Sequence, residues 1–80
     1  MHERRIIPIH HKTLIKVFEL DGFIVKRQKG YHIIMTKSGV RRPLVIKTSS
    51  KVVPVTHIRT NMTTAGMTRE RFFELLKQAK

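Results

Sequence analysis

His32 is the residue best placed to do chemistry in this sequence. It follows Gly30 at the start of a β-branched run, and Lys26, Arg27 and Lys29 lie three to six positions before it. An imidazole accepts or releases a proton near neutral pH. Cations beside it stabilise charge developing on a phosphorane-like transition state. Together these groups supply what metal-free RNA cleavage requires, a base for the 2′-hydroxyl or an acid for the leaving oxygen. The same pattern suits a strand histidine that merely faces solvent, and composition and spacing alone favour that simpler reading.

The other histidines carry less. His10 and His11 sit in a polar lead-in and read as loop residues or a helix start rather than metal ligands. His57 follows Thr56 on an expected helix, off its apolar face, and is expected to be exposed. Other chemistries fall away on composition. No Gly-x-x-x-x-Gly-Lys-Ser/Thr loop is present. The acids are Glu3, Glu19, Asp21, Glu70 and Glu74. None lies between Gly22 and Arg69, so the carboxylates of a two-metal nuclease are missing. With no Cys in the chain there is no disulfide and no thiolate metal site. The expectation is a protein without metal or cofactor.

Charge points to a polyanion. The 80 residues carry 17 Lys+Arg against 5 Asp+Glu, a formal net charge of +12. The acid-free stretch holds Lys26, Arg27, Lys29, Lys37, Arg41, Arg42, Lys47, Lys51, Arg59 and Arg69. A folded segment of one sign makes a positive field that internal ion pairs do not cancel, and phosphate binding with counterion release is its natural use. The pairs Lys26-Arg27 and Arg41-Arg42 are expected phosphate contacts, which position a nucleic acid without reading it. Tyr31 offers a stacking ring in the basic middle, with Phe23 the only other aromatic there. Met35, Met62 and Met67 read as core filler. No apolar run approaches the ~20 residues that span a membrane, and without a secretory h-region the chain is expected in the cytoplasm.

These residues need elements to hold them. An apolar fraction of 40% suits one small domain over residues 1–80. Residues 1–10 read as a loose lead-in because of Pro8 and the His pair. Leu14, Val17 and Phe18 recur at helical spacing, which predicts a helix from about His11 to Asp21, stopped by Gly22. Three strands follow: Phe23 to Arg27, Tyr31 to Thr36 and Arg42 to Ile46, joined at Lys29-Gly30 and Lys37-Ser38-Gly39. Lys47 to Val53 reads as loop. Val55, Ile58, Met62 and Ala65 share one face of a second helix that ends at Gly66. Thr68 caps a third, with Met67 and Phe72 placed as a hydrophobic staple. The expected fold is α+β, in the order α-β-β-β-α-α, with a three-stranded antiparallel sheet covered by helices on one face. The other face stays open for chemistry.

The motifs then resemble a known family. Leu14-Ile15-Lys16, Asp21-Gly22-Phe23 and Arg27-Gln28-Lys29-Gly30-Tyr31-His32 resemble the HicA, or YcfA-like, toxins of bacterial toxin–antitoxin pairs. That family shows a helix ending in Gly-Phe/Trp, a strand, and then Lys-Gly-Ser-His. Ile58-Arg59, Ala65-Gly66-Met67-Thr68 and Phe72/Phe73 to Leu76 resemble its ending. The resemblance implies a double-stranded-RNA-binding-like fold and a ribonuclease that cuts mRNA without a metal. It implies that His32 is the catalytic histidine, and that a HicB antitoxin binds the toxin and covers its active site. The chain departs from the pattern at two positions and one strand end. Tyr31 stands where a small Ser or Thr is usual, and its ring can narrow the RNA site or stack on a base. Ile33 stands where many members have a second His. Ile46-Lys47-Thr48-Ser49 replaces a strand end that often reads Pro and shortly after His.

The sequence is therefore read as a HicA-like mRNA interferase. Its expected RNA contacts are Lys26, Arg27, Lys29, Gly30, Tyr31, Arg41 and Arg42, and its expected protein partner is an acidic antitoxin. The rival reading is a non-catalytic RNA-binding module on the same fold, which has no need of His32.

Overall fold

The computed structural model describes residues 5–80. The elements are β1 (Ile9–His10), α1 (His11–Leu20), β2 (Ile24–Lys29), β3 (His32–Thr36), β4 (Leu44–Lys47), β5 (Val52–Val53), α2 (Val55–Ala65) and α3 (Arg69–Ala79). The main sheet is antiparallel, ordered β2-β3-β4. With three helices, this is the α+β order α-β-β-β-α-α, compatible with a double-stranded-RNA-binding-like domain.

The helices start and stop where local chemistry dictates. The Gly22 amide donates to Glu19 and the Phe23 amide to Phe18, closing the end of α1. This pairing needs a left-handed residue, and Gly22 supplies it at φ +101°. It also brings the Phe23 ring edge-on to Phe18, 5.7 Å between centroids, so the helix stop doubles as a core contact. α3 begins at Thr68, whose hydroxyl oxygen accepts from the Arg71 amide at 3.1 Å, and Glu70 sits favourably in its first turn.

One face of β3 and β4 is buried, whereas all of β2 is exposed, so the helices cover two of the three strands. Ile33 and Met35 of β3 and Leu44 and Ile46 of β4 pack against Leu14, Val17 and Phe18 of α1 and the apolar sides of α2 and α3 in one cluster. Alternation along β3 and β4 leaves His32, Ile34, Val45 and Lys47 on the opposite side. Asp21 locks three elements together. Its carboxylate meets Lys37 of the β3–β4 turn at 3.5 Å and Arg71 of α3 at 3.2 Å.

Two segments differ from the sequence expectation. Residues 1–4 of the expected loose lead-in lie outside the described residues, but from Ile6 onward the chain is tied down. Ile6 is buried, and Ile9–His10 pair with Val52–Val53. The stretch from Lys47 to Val53, expected as loop, ends in that second strand, with Val53 buried and Val52 exposed. A two-residue strand has no period to read, and its partner lies some forty residues away in sequence.

His10 is the N-cap of α1. Its Nδ1 accepts from the Lys12 amide at 3.1 Å, which requires the neutral ring. Partial burial, and after it the charges of His11, Lys12 and Lys51, hold its pKa below the ordinary 6.5. The unfolded chain therefore binds the proton more readily, and this contribution to stability is full above pH 6.5. It falls as pH drops from there through the lower folded value and levels off beneath it. His10→Asn retains a capping acceptor that does not titrate. Urea melts at pH 7.5 and 5.5 are expected to show a smaller acid loss in this variant than in wild type; equal losses would contradict the capping role.

Candidate nucleic-acid interface

The β2–β3 hairpin sets the site. Lys29 pairs with His32, leaving Gly30 and Tyr31 as a two-residue loop. Gly30 has φ +57° and no other described residue but glycine has positive φ, the sign pattern of a type II′ turn, in which glycine leads. No atom would obstruct a Cβ at Gly30, so the demand for glycine there is conformational. The Thr48 amide donates to the Tyr31 carbonyl at 2.7 Å and continues the β3–β4 ladder to the hairpin's end.

Register then builds a row. His32 lies opposite Lys29 on one side and Lys47 on the other, and directly paired residues share a face. The next row is Arg27, Ile34 and Val45. His32 is exposed on the middle strand, at the hairpin end of a face that α1 and α3 do not cover, with a lysine on each neighbouring strand. Tyr31, 68% exposed, precedes it in the hairpin loop. Lys26 is the extra residue of a β-bulge between Val25 and Arg27, which twists the exposed edge of the sheet.

The arginine pair is elsewhere. Arg41 and Arg42 are exposed in the β3–β4 turn, at the Thr36 end of the sheet. Four residues of β3 separate that end from His32, roughly 13 Å at strand rise. They extend the positive surface without joining the His32 cluster. Lys47 is the residue the sequence reading passed over. Its position was visible only as one basic residue among many, and register makes it the direct neighbour of His32. Ile33, one of the departures from the family pattern, turns into the core at 8% exposure, so it serves packing and not this face.

Charge on the open face is uncompensated. The ion pairs among the described residues involve Lys37, Arg71, Asp21 and Glu74, all away from the His32 row. Among the described residues no cluster of three or more His, Cys, Asp or Glu converges as a metal site would. His57 corrects its expectation. It is half-buried, in a groove between α2 and the β4 edge that Lys47 also lines.

Residues 11–67 match the family described as HicA toxin of bacterial toxin–antitoxin. The chain belongs to the HicA toxin family. The match covers α1, the three-stranded sheet and α2, and therefore the whole His32 row; α3 lies beyond it. Membership in this HicA family makes the protein a toxin with a cognate antitoxin. No curated protein matches the chain closely enough to count as a relative. No helix among the described residues is long and apolar enough to cross a membrane.

Proposed function

We propose that this HicA-family protein is a metal-independent endoribonuclease that cuts mRNA in the cytoplasm, blocks translation, and is neutralised by a HicB-like antitoxin. The observation that carries the reading is the cross-strand row Lys29–His32–Lys47 on the face that α1 and α3 leave uncovered. In such a cleavage the 2′-oxygen bonds to the adjacent phosphorus while the bond from phosphorus to the 5′-oxygen breaks. The 2′-hydroxyl gives up a proton and the leaving oxygen gains one. His32 serves one of these transfers, and the flanking lysines oppose the charge on the non-bridging oxygens. Arg27 and Lys26 continue the cationic track for the phosphate backbone, and Tyr31 is placed for stacking on an unpaired base. The same face, positive and open, is where an acidic antitoxin gains both complementarity and inhibition.

The test is direct. Purified, folded protein free of antitoxin is incubated with a long single-stranded RNA in excess EDTA. Fragmentation is expected, and its absence would sink the nuclease reading and leave the RNA-binding module ahead.

A further inference from the structure

The groove between β4 and α2 has a volume of about 310 Å³, at the lower end of the range for small-ligand pockets. Pro43, Val45 and Lys47 line it from the strand side. His57, Thr60, Asn61 and Thr64 line it from the helix. Val45 and Lys47 belong equally to the open face, where Lys47 pairs with His32. A polynucleotide whose phosphate lies on the His32–Lys47 row therefore passes beside this groove.

We propose that the groove seats the nucleobase of a nucleotide flanking the scissile phosphate, and that it selects bases carrying an exocyclic amino group. The ligand class rests on the reading of the open face as an RNA site; the selectivity rests on the groove's own hydrogen-bonding groups. Asn61 is the buried polar residue of α2, 6% exposed. Its side-chain amide nitrogen donates to the Val45 carbonyl at 3.2 Å. A carbonyl only accepts, so the amide cannot be flipped, and Oδ1 is left as an acceptor. No donor among the described residues reaches that oxygen. Among the described residues no fully buried side-chain nitrogen or oxygen lacks a partner, so Oδ1 opens to the groove.

The hydroxyls add to this pattern. Thr60 donates its proton to the Thr56 carbonyl at 2.9 Å, and Thr64 donates to the Thr60 carbonyl at 3.0 Å. Each oxygen keeps acceptor capacity with its only proton already used. The helix side thus presents three acceptors, while Pro43 and Val45 offer apolar contact to the plane of a ring. Adenine, cytosine and guanine bring an amino group to such a wall. Uracil alone has none; its one donor, N3–H, reaches a single acceptor, and the carbonyls on either side of it face the others and leave them unpaired.

The probes are uncleavable 2′-O-methyl hexamers of adenosine, cytidine and uridine, titrated against the full-length protein. Adenosine and cytidine hexamers are expected to bind about tenfold tighter than the uridine hexamer. Thr60→Val/Thr64→Val, which keeps side-chain shape and removes two acceptors, is expected to abolish most of that preference with little change in uridine affinity. Shifts of the Asn61 side-chain amide and the His57 ring in NMR spectra on adding the adenosine hexamer would locate the base. Equal affinities in wild type, or a preference that the double variant retains, would overturn the proposal. These hexamers need no cleavage, so the outcome separates from that of the EDTA assay. A chain that discriminates bases without cutting RNA loses the nuclease reading and keeps the groove, and one that cuts without discriminating does the reverse.

Discussion

His32→Ala is expected to lower the rate of RNA cleavage by about 10²–10⁴-fold, the usual share of a positioned general acid or base. RNA affinity should change far less, because most of it comes from phosphate contacts made by lysines and arginines that the variant retains. Stability should also hold, since His32 is exposed and its main-chain pairing with Lys29 and Lys47 does not depend on the ring. Cleavage is followed on single-stranded RNA in EDTA, affinity by titration with an uncleavable RNA, and stability by urea melts. Loss of rate with binding and fold intact assigns the imidazole to chemistry. A wild-type rate that the variant matches would remove His32 from the reaction, and the lysine row would then be a binding track alone.

Phe18→Ala is expected to destabilise the protein by about 3–5 kcal/mol. Phe18 is fully buried, closes the hydrophobic contact at the end of α1, and meets Phe23 edge-on. A domain this small has little reserve; at roughly 0.05–0.15 kcal/mol per residue the loss takes a large part of the total. The fall in Tm should be correspondingly large, about 4–8 °C for each kcal/mol. Tyr31→Ala provides the control. Its ring is exposed in the hairpin loop, so a change within about 0.5 kcal/mol is expected. A Phe18→Ala loss below about 1 kcal/mol would show that the cluster around α1 collapses onto the vacated space, contrary to the packing described.

The main elements were legible because each has a local cause. The spacing of Leu14, Val17 and Phe18 marks α1, and the helix extends over His11–Leu20. Val55, Ile58 and Met62 mark α2, which spans Val55–Ala65. Thr68, Met67 and Phe72 announce α3 through its cap and staple, and Thr68 does cap Arg69–Ala79. The glycines at 22 and 30 sit at the two positive-φ positions that end α1 and turn the hairpin. The β1–β5 pair was missed because a two-residue strand is stabilised only by a distant partner. Ile6, read as lead-in, is buried for the same reason: nothing local to it requires burial.

For the candidate site, the sequence by itself determined the ingredients: an acid-free basic middle, one histidine behind a Lys-Gly turn, and motifs that place the chain in a toxin family. Residue types and short-range periodicity carry that information, since charge, propensity and turn preference are properties of a few neighbouring residues. Only the tertiary structure decided the grouping. A shift of one residue in the pairing of β3 with β4 would turn Lys47 away from His32 and set Ile46 in its place, so the row exists through register. Arg41 and Arg42, equally basic in sequence, fall at the far end of the sheet because the strands between them and His32 are extended. His57 and Asn61 became neighbours of that row only when α2 packed along β4 and tied Asn61 to the Val45 carbonyl. Such juxtapositions are set by burial of the opposite, apolar faces, a collective property that no local stretch of this chain contains.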